Sequence, residues 1–275
     1  MSTSAFVKNL ASNSRNTRDA ALESLETYLS TTSAKLTLLD YEKLWKGLYF
    51  SVWFSDRPRT QERLCESLGR LYSEVIPLSR FPLFLDAFFN VIILTWPDID
   101  QWRIDKFYLL IRRVVRHSFK RLKKENWDEK VVGEFVQVLE GAVLSGKKNV
   151  PVALPYHLCD IYLDELELVM FEELKSEQDE VDESKGEEGY AEKYEELLKK
   201  KLQAVDDIPV TTLISPFAKL NKSALLKTLR EKCAEEVLND ERLKDWGVVE
   251  DEDDSEESEE EEEDDDEEEE EWKGF

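Results

Sequence analysis

Apolar side chains recur along this chain at intervals of three and four residues, and runs with the strict alternation of a half-buried strand are scarce. In "TRDAALESLETYLS", Ala21, Leu22, Leu25, Tyr28 and Leu29 form one stripe, with Asn16 or Thr17 placed to cap it. A second helix is predicted from Leu38 to Phe54. A third follows, capped by Asp56, with Pro58 in the first turn, where its missing N–H costs nothing. "SRFPLFLDAFFNVIILTW" is apolar nearly all round and stops at Pro97. Asp86 and Asn90 interrupt it, so it reads as a buried helix and no membrane span is expected. Asp98 or Asp100 opens the next helix, and Asn126 opens "WDEKVVGEFVQVLEGAVLS", expected to end at Gly146. "LPYHLCDIYLDELELVMFEEL" comes after Pro151 and Pro155, "YAEKYEELLKKKLQAV" after a polar stretch, and a last helix spans Asn221 to about Leu238.

These spacings predict an all-α protein. Helix pairs over 17–54, 57–96 and 98–146 recur at an interval suited to antiparallel pairs stacked in a HEAT- or armadillo-like array, although no repeated consensus is visible.

Charge divides the chain. The net charge is −25, yet two acidic runs account for all of it. The stretch 176–188 and the tail 248–275 are almost devoid of apolar residues and are expected to be a disordered loop and a disordered tail flanking a helical domain over 1–247. The remainder is close to neutral. The N-terminus lacks the apolar run of a signal peptide, and three scattered cysteines, Cys65, Cys159 and Cys233, argue against a disulfide framework. A soluble protein of a reducing compartment is expected.

Catalytic chemistry finds little to stand on. "GAVLSGKK" mimics a phosphate loop over Gly141–Lys148 but ends in Lys148 where a Mg²⁺-binding hydroxyl belongs, and Gly146 reads better as a helix C-cap. His157 and Cys159 lack convergent ligands, and with two histidines a nucleophile–base pair has few possible members. No catalytic, cofactor-binding or metal-binding residues are assigned.

The most distinctive element is "QWRIDKFYLLIRRVVRHSFKRLKK", residues 101–124, with nine Lys or Arg against Asp105 alone. Ile104, Phe107, Tyr108, Ile111, Val114, Val115, Phe119 and Leu122 share an arc of roughly 140°. Lys106, Arg112, Arg113, Arg116, Lys120, Arg121, Lys123 and Lys124 form a basic ridge on the rest. Two readings stand side by side: a surface for RNA phosphates or an acidic partner, or a face paired with acids of neighbouring helices. Leu109 and Leu110 fall inside the basic arc and point to partial cover. "KRLKK" also resembles a nuclear-import signal. Trp45, Lys46, Trp53, Arg57 and Trp102 mix aromatic and basic groups, either as core packing or as a possible interface.

"KNLASNSRNTRDAALESLETYLS", "LWKGLYFSVWFSDRPRTQERL" and "IDQWRIDKFYLLIRRVVRHSF" together resemble the nucleolar ribosomal RNA processing protein one family, over most of residues 5–240. The resemblance implies a HEAT-like helical fold and a non-catalytic assembly factor of the precursor large ribosomal subunit. That factor would support maturation of the large-subunit and 5.8S RNAs in the nucleolus. Implied neighbours are ribosomal RNA, ribosomal proteins, and Brix-domain and WD-repeat assembly factors. The alternative, from composition, is an acidic chaperone or transport adaptor for histones or ribosomal proteins.

Overall fold

The computed structural model describes residues 8–186 and 189–249. Within them lie twelve α-helices after residue 14 and no strand: α1 (Arg15–Thr32), α2 (Leu38–Trp53), α3 (Pro58–Arg70), α4 (Phe81–Thr95), α5 (Ile104–Lys124), α6 (Glu129–Gly141), α7 (Ala153–Met170), α8 (Lys175–Glu183), α9 (Tyr190–Val205), α10 (Val210–Ser223), α11 (Lys227–Cys233) and α12 (Glu241–Asp245). The main packing joins alternate helices. In one row α2 packs on α4, α4 on α6 and α6 on α10. In the other, α3 packs on α5, α5 on α7 and α7 on α11. A continuous apolar core between the rows extends from Leu10 to Trp246.

Local chemistry explains most element ends. Thr37 and Asp40 form a reciprocal capping box at α2. Pro58 sits in the first turn of α3 as expected, but the cap position belongs to Arg57, not Asp56. α1 begins earlier than predicted, with Ser14 accepting from the Thr17 N–H. α5 starts at Ile104 because Asp100 organises the turn before it, accepting from the Trp102 N–H at 3.0 Å and pairing with Arg103. Between α5 and α6, Asn126 and Trp127 adopt left-handed backbone at φ 52° and 54°, so α6 opens at Asp128, which caps it through the Lys130 and Val131 N–H groups. α6 ends at Gly141 rather than Gly146, which lies beyond it at φ 65°.

The helical run Leu78–Asp98, of which α4 is the central part, is long and apolar enough to cross a membrane by length and composition. Its residues Phe81, Phe84, Phe88, Phe89 and Ile92 are buried against α2 and α6. Two differences from the sequence reading have physical causes. Lys175–Glu183, which overlaps the stretch predicted to be disordered, is helical. Val181 is buried there, and Glu177 pairs with Lys200 of α9 at 2.7 Å, giving an acidic segment a folded neighbour. The helix expected from Asn221 is two helices, with α10 starting eleven residues earlier despite Pro216, whose ring is buried. Residues 187–188, and the tail from 250 onward, lie outside the described residues.

Candidate interaction surface

The basic helix α5 is the spine of the molecule, gripped by α3 on one side and α7 on the other. Its charges are matched by groups of those neighbours. Glu165 of α7 is fully buried and accepts from both Arg112 and Arg116, the second through Nε and, at 3.0 Å, Nη2. Arg112 also reaches Asp164 at 3.2 Å. On the α3 side, Arg113 lies 3.2 Å from Glu66 and 3.7 Å from Glu62. Near the C-terminal end, Lys120 pairs with Glu172 at 3.1 Å and Lys123 with Glu173 at 2.7 Å.

Two ridge members are interior and cannot form part of any surface. Lys106 is buried, donates to the carbonyls of Trp53 (2.6 Å) and Ser55 (3.0 Å), and burial holds its ammonium below the usual lysine range. Arg121 is buried and donates to the carbonyls of Tyr72 (2.8 Å) and Ile76 (2.6 Å), fastening the π-helical turn Leu71–Val75 to α5. Lys124 is the exposed member and makes no ion pair with a described carboxylate. The continuous basic ridge of the sequence reading is therefore not present as an open face. Leu110 is buried and Leu109 half-buried, in keeping with the cover those two residues foreshadowed.

A second network brings together residues that sequence reasoning did not connect. The Ser73 hydroxyl lies 2.8 Å from His117 Nδ1, and His117 Nε2 lies 2.9 Å from Glu66. Desolvation lowers the His117 pKa, and Glu66 opposes that shift. Gly69 lets the ring approach: a Cβ there would sit 2.6 Å from the imidazole Cδ2 and 2.9 Å from the Arg113 carbonyl. The order Ser–His–Glu matches a hydrolytic triad, but Ser73 and His117 are buried between α3 and α5, where the network braces the π turn. His157 Nε2 donates to the Tyr108 carbonyl, 3.1 Å away, and Cys159 lies 3.7 Å from Cys233 in the core. Lys147 bonds the Gly141 carbonyl at 3.2 Å. Among the described residues, no group of three or more His, Cys, Asp or Glu is arranged to hold a metal ion.

The aromatic–basic residues divide in the same way. Trp45 is buried among Tyr72, Phe84 and Phe88, with ring centroids 6.0, 5.2 and 4.8 Å away, so it is core rather than interface. Trp53, Arg57 and Trp102 lie around the C-terminal end of α2 and the turn before α5, with Lys46 two turns back along α2. Trp53 is half-buried beneath the Arg103 guanidinium, 4.7 Å from the ring centroid. Lys46 lies over Tyr49 and Phe50 at 5.1 and 5.3 Å. Arg57 is exposed, and Trp102 stands 85% exposed at the start of α5. Phe50 and Phe54, 38% and 59% exposed and stacked at 6.2 Å, complete the patch. Their signal was readable: Lys46, Phe50 and Phe54 step by four residues and share one helix face.

Large rigid side chains beside cations are the kind of group that anchors macromolecular interfaces. Comparison with known proteins identifies the family. Residues 1–274 match the family model described as "Nucleolar protein, Nop52". Among curated proteins, the chain is 36% identical over 177 residues to human ribosomal RNA processing protein 1 homolog B, an alignment covering 63% of this chain and 23% of that protein. It is 33% identical to mouse homolog A over the same length, covering 36% of it, and 32% identical over 164 residues to the Caenorhabditis elegans homolog, covering 59% of this chain and 41% of that protein. The matched region thus spans well under half the length of these relatives. With the family model matching nearly end to end, the chain belongs to the Nop52 family of nucleolar proteins.

Proposed function

We propose that this protein is a non-catalytic scaffold in assembly of the precursor large ribosomal subunit, supporting the processing of precursor RNA to large-subunit and 5.8S RNAs. The names of its relatives support the RNA-processing half of this reading. The observation that carries the scaffold half is the exposed aromatic end, Phe50, Phe54 and Trp102 with Lys46 and Arg103, on a body whose basic helix is already matched by internal acids. Aromatic anchors with a cationic rim favour a protein neighbour in the particle over an RNA backbone, which would want an open row of cations. Other assembly factors, Brix-domain and WD-repeat proteins among them, and ribosomal proteins are the partners of this reading. Stacking of alternate helices in two rows supports a HEAT-like architecture.

The test is the double substitution Trp102→Ala and Phe54→Ala in the full chain. Because both side chains are largely in water, the melting temperature should move by no more than about 1–2 °C. Association with large-subunit precursors, read by sedimentation, should fall by about tenfold or more, as for loss of a hot-spot anchor. Unchanged sedimentation and unchanged precursor-RNA levels would overturn the proposal. Co-sedimentation of the unaltered protein with small-subunit precursors instead would overturn its large-subunit part.

A further inference from the structure

Away from the basic helix, four lysines line a pair of adjoining grooves. The first, about 750 Å³ in volume, runs between α2, α4 and the segment linking α6 to α7. Its walls carry Leu39, Ile93 and Leu94 together with Lys43, Lys46 and Lys147. The second, about 430 Å³, shares Lys147 and Val150 with the first and continues over Lys148, Val152, Leu225 and Leu226. None of the four lysines forms an ion pair with a described carboxylate. Lys46 lies over aromatic rings and Lys147 on a backbone carbonyl. Glu42 is the carboxylate in the lining, and it accepts from Asn90 at 3.2 Å. Leu94 and Leu225, 76% and 69% exposed, leave the apolar walls open to water.

We propose that residues 250–275 of this chain dock along these grooves, the acids against the lysines and Trp272 and Phe275 against the leucines. Composition argues for this occupant. Residues 250–271 hold twenty acids and no base, and they lead into Trp-Lys-Gly-Phe. An aliphatic lining offers no stacking platform for nucleic-acid bases, whereas it can bury an indole and a phenyl ring. The chain is also long enough. Trp246 packs on Phe171, just past the C-terminal end of α7, while the grooves lie at the N-terminal end of that helix, about 27 Å away at 1.5 Å per residue. Between Val249 and Trp272 the chain spans up to roughly 75 Å when extended, so the segment reaches with slack. Tethering gives an effective concentration in the millimolar range, so even a weak contact is populated. Docked, the segment covers a face that an acidic partner would otherwise occupy, and it yields that face when such a partner competes.

Carbodiimide coupling of the full chain tests this, since it joins a carboxylate and an amine in contact as an amide with loss of water. Peptide mapping should find residues 250–271 linked to Lys43, Lys147 and Lys148 at least about fivefold more often than to the exposed Lys124 and Lys130. The preference should weaken at high salt and fall to parity in the Trp272→Ala, Phe275→Ala variant. Mixing isotopically light and heavy chains should give links within single chains. Equal coupling to Lys124 and Lys130 would overturn the proposal. So would links predominantly between chains, which would make the occupant a second copy, or groove-lysine protection that appears only on adding RNA. All readouts use the purified protein outside any particle, so their failure is distinct from failure of the particle-association experiment.

Discussion

Glu165 is the carboxylate most exposed to a decisive test. It sits on α7 with no accessible surface and accepts from Arg112 and Arg116 of α5, fastening two long helices of the same row. Glu165→Gln keeps the volume and removes the charge. Stripping one partner from a buried pair costs about 3–5 kcal/mol when the other charge is stranded. Here the stranding is partial: Arg112 is 37% exposed and keeps Asp164, and Arg116 is 18% exposed. We therefore expect about 2–3 kcal/mol, or a fall of roughly 4–10 °C in melting temperature for a body of this size. Because Glu165 itself is shielded from solvent, the loss should be nearly the same at low salt and at roughly 0.5 M salt. Arg116→Glu should be worse, placing like charges together at a buried site. Lys124→Glu, at the exposed end of the same helix, should change stability by no more than about 0.5 kcal/mol. Thermal melting followed by circular dichroism is sufficient. A Glu165→Gln protein that melts within about 1 °C of the unaltered one would refute the view of α5 as an internally neutralised spine.

Gly69→Ala should destabilise by about 1–3 kcal/mol, because its Cβ would press on His117 and on the Arg113 backbone; denaturant titration showing no shift in midpoint would contradict the close approach. His117 and His157 have pKa values lowered chiefly by burial, so the unfolded chain binds more protons than the native one as pH falls through the ordinary histidine value of about 6.5. Stability should thus decline on acidification from about pH 7 to 5, and His157→Gln should flatten that decline in a melting-temperature profile. Asn126, held at φ 52° between α5 and α6, should accept Gly with little change, whereas Asn126→Val should cost about 1–2 kcal/mol, measured by the same denaturant titration.

The apolar half of α5 was legible because it follows elementary helix geometry: Phe107, Ile111, Val114, Val115, Phe119 and Leu122 are all buried. The polar half was not, because matching charges come from residues roughly fifty positions away, Glu62 and Glu66 before it and Asp164 and Glu165 after it. A local pattern cannot say that a carboxylate in "DIYLDELEL" faces an arginine rather than water, although Glu165 amid an apolar helix was the available clue. Trp45 and Trp102 show the same limit. Both read as candidate anchors, yet one is core and the other stands in solvent, since neighbours two helices away decide which face is covered. α10 escaped notice because Pro216 and a run of threonines lower local helix propensity, while Leu213, Phe217 and Leu220 supply the tertiary packing that overrides it.

The α5 helix also fixes a length. Its 21 residues span about 31 Å from the turn bearing Trp102 to the left-handed corner at Asn126 and Trp127. Clamped along that distance by acids on both flanks and by Arg121 at the π turn, it behaves as a stiff ruler rather than a hinge. Under the proposed scaffold role, a neighbour seated on the aromatic end would therefore be held at a constant spacing from the Lys124 corner.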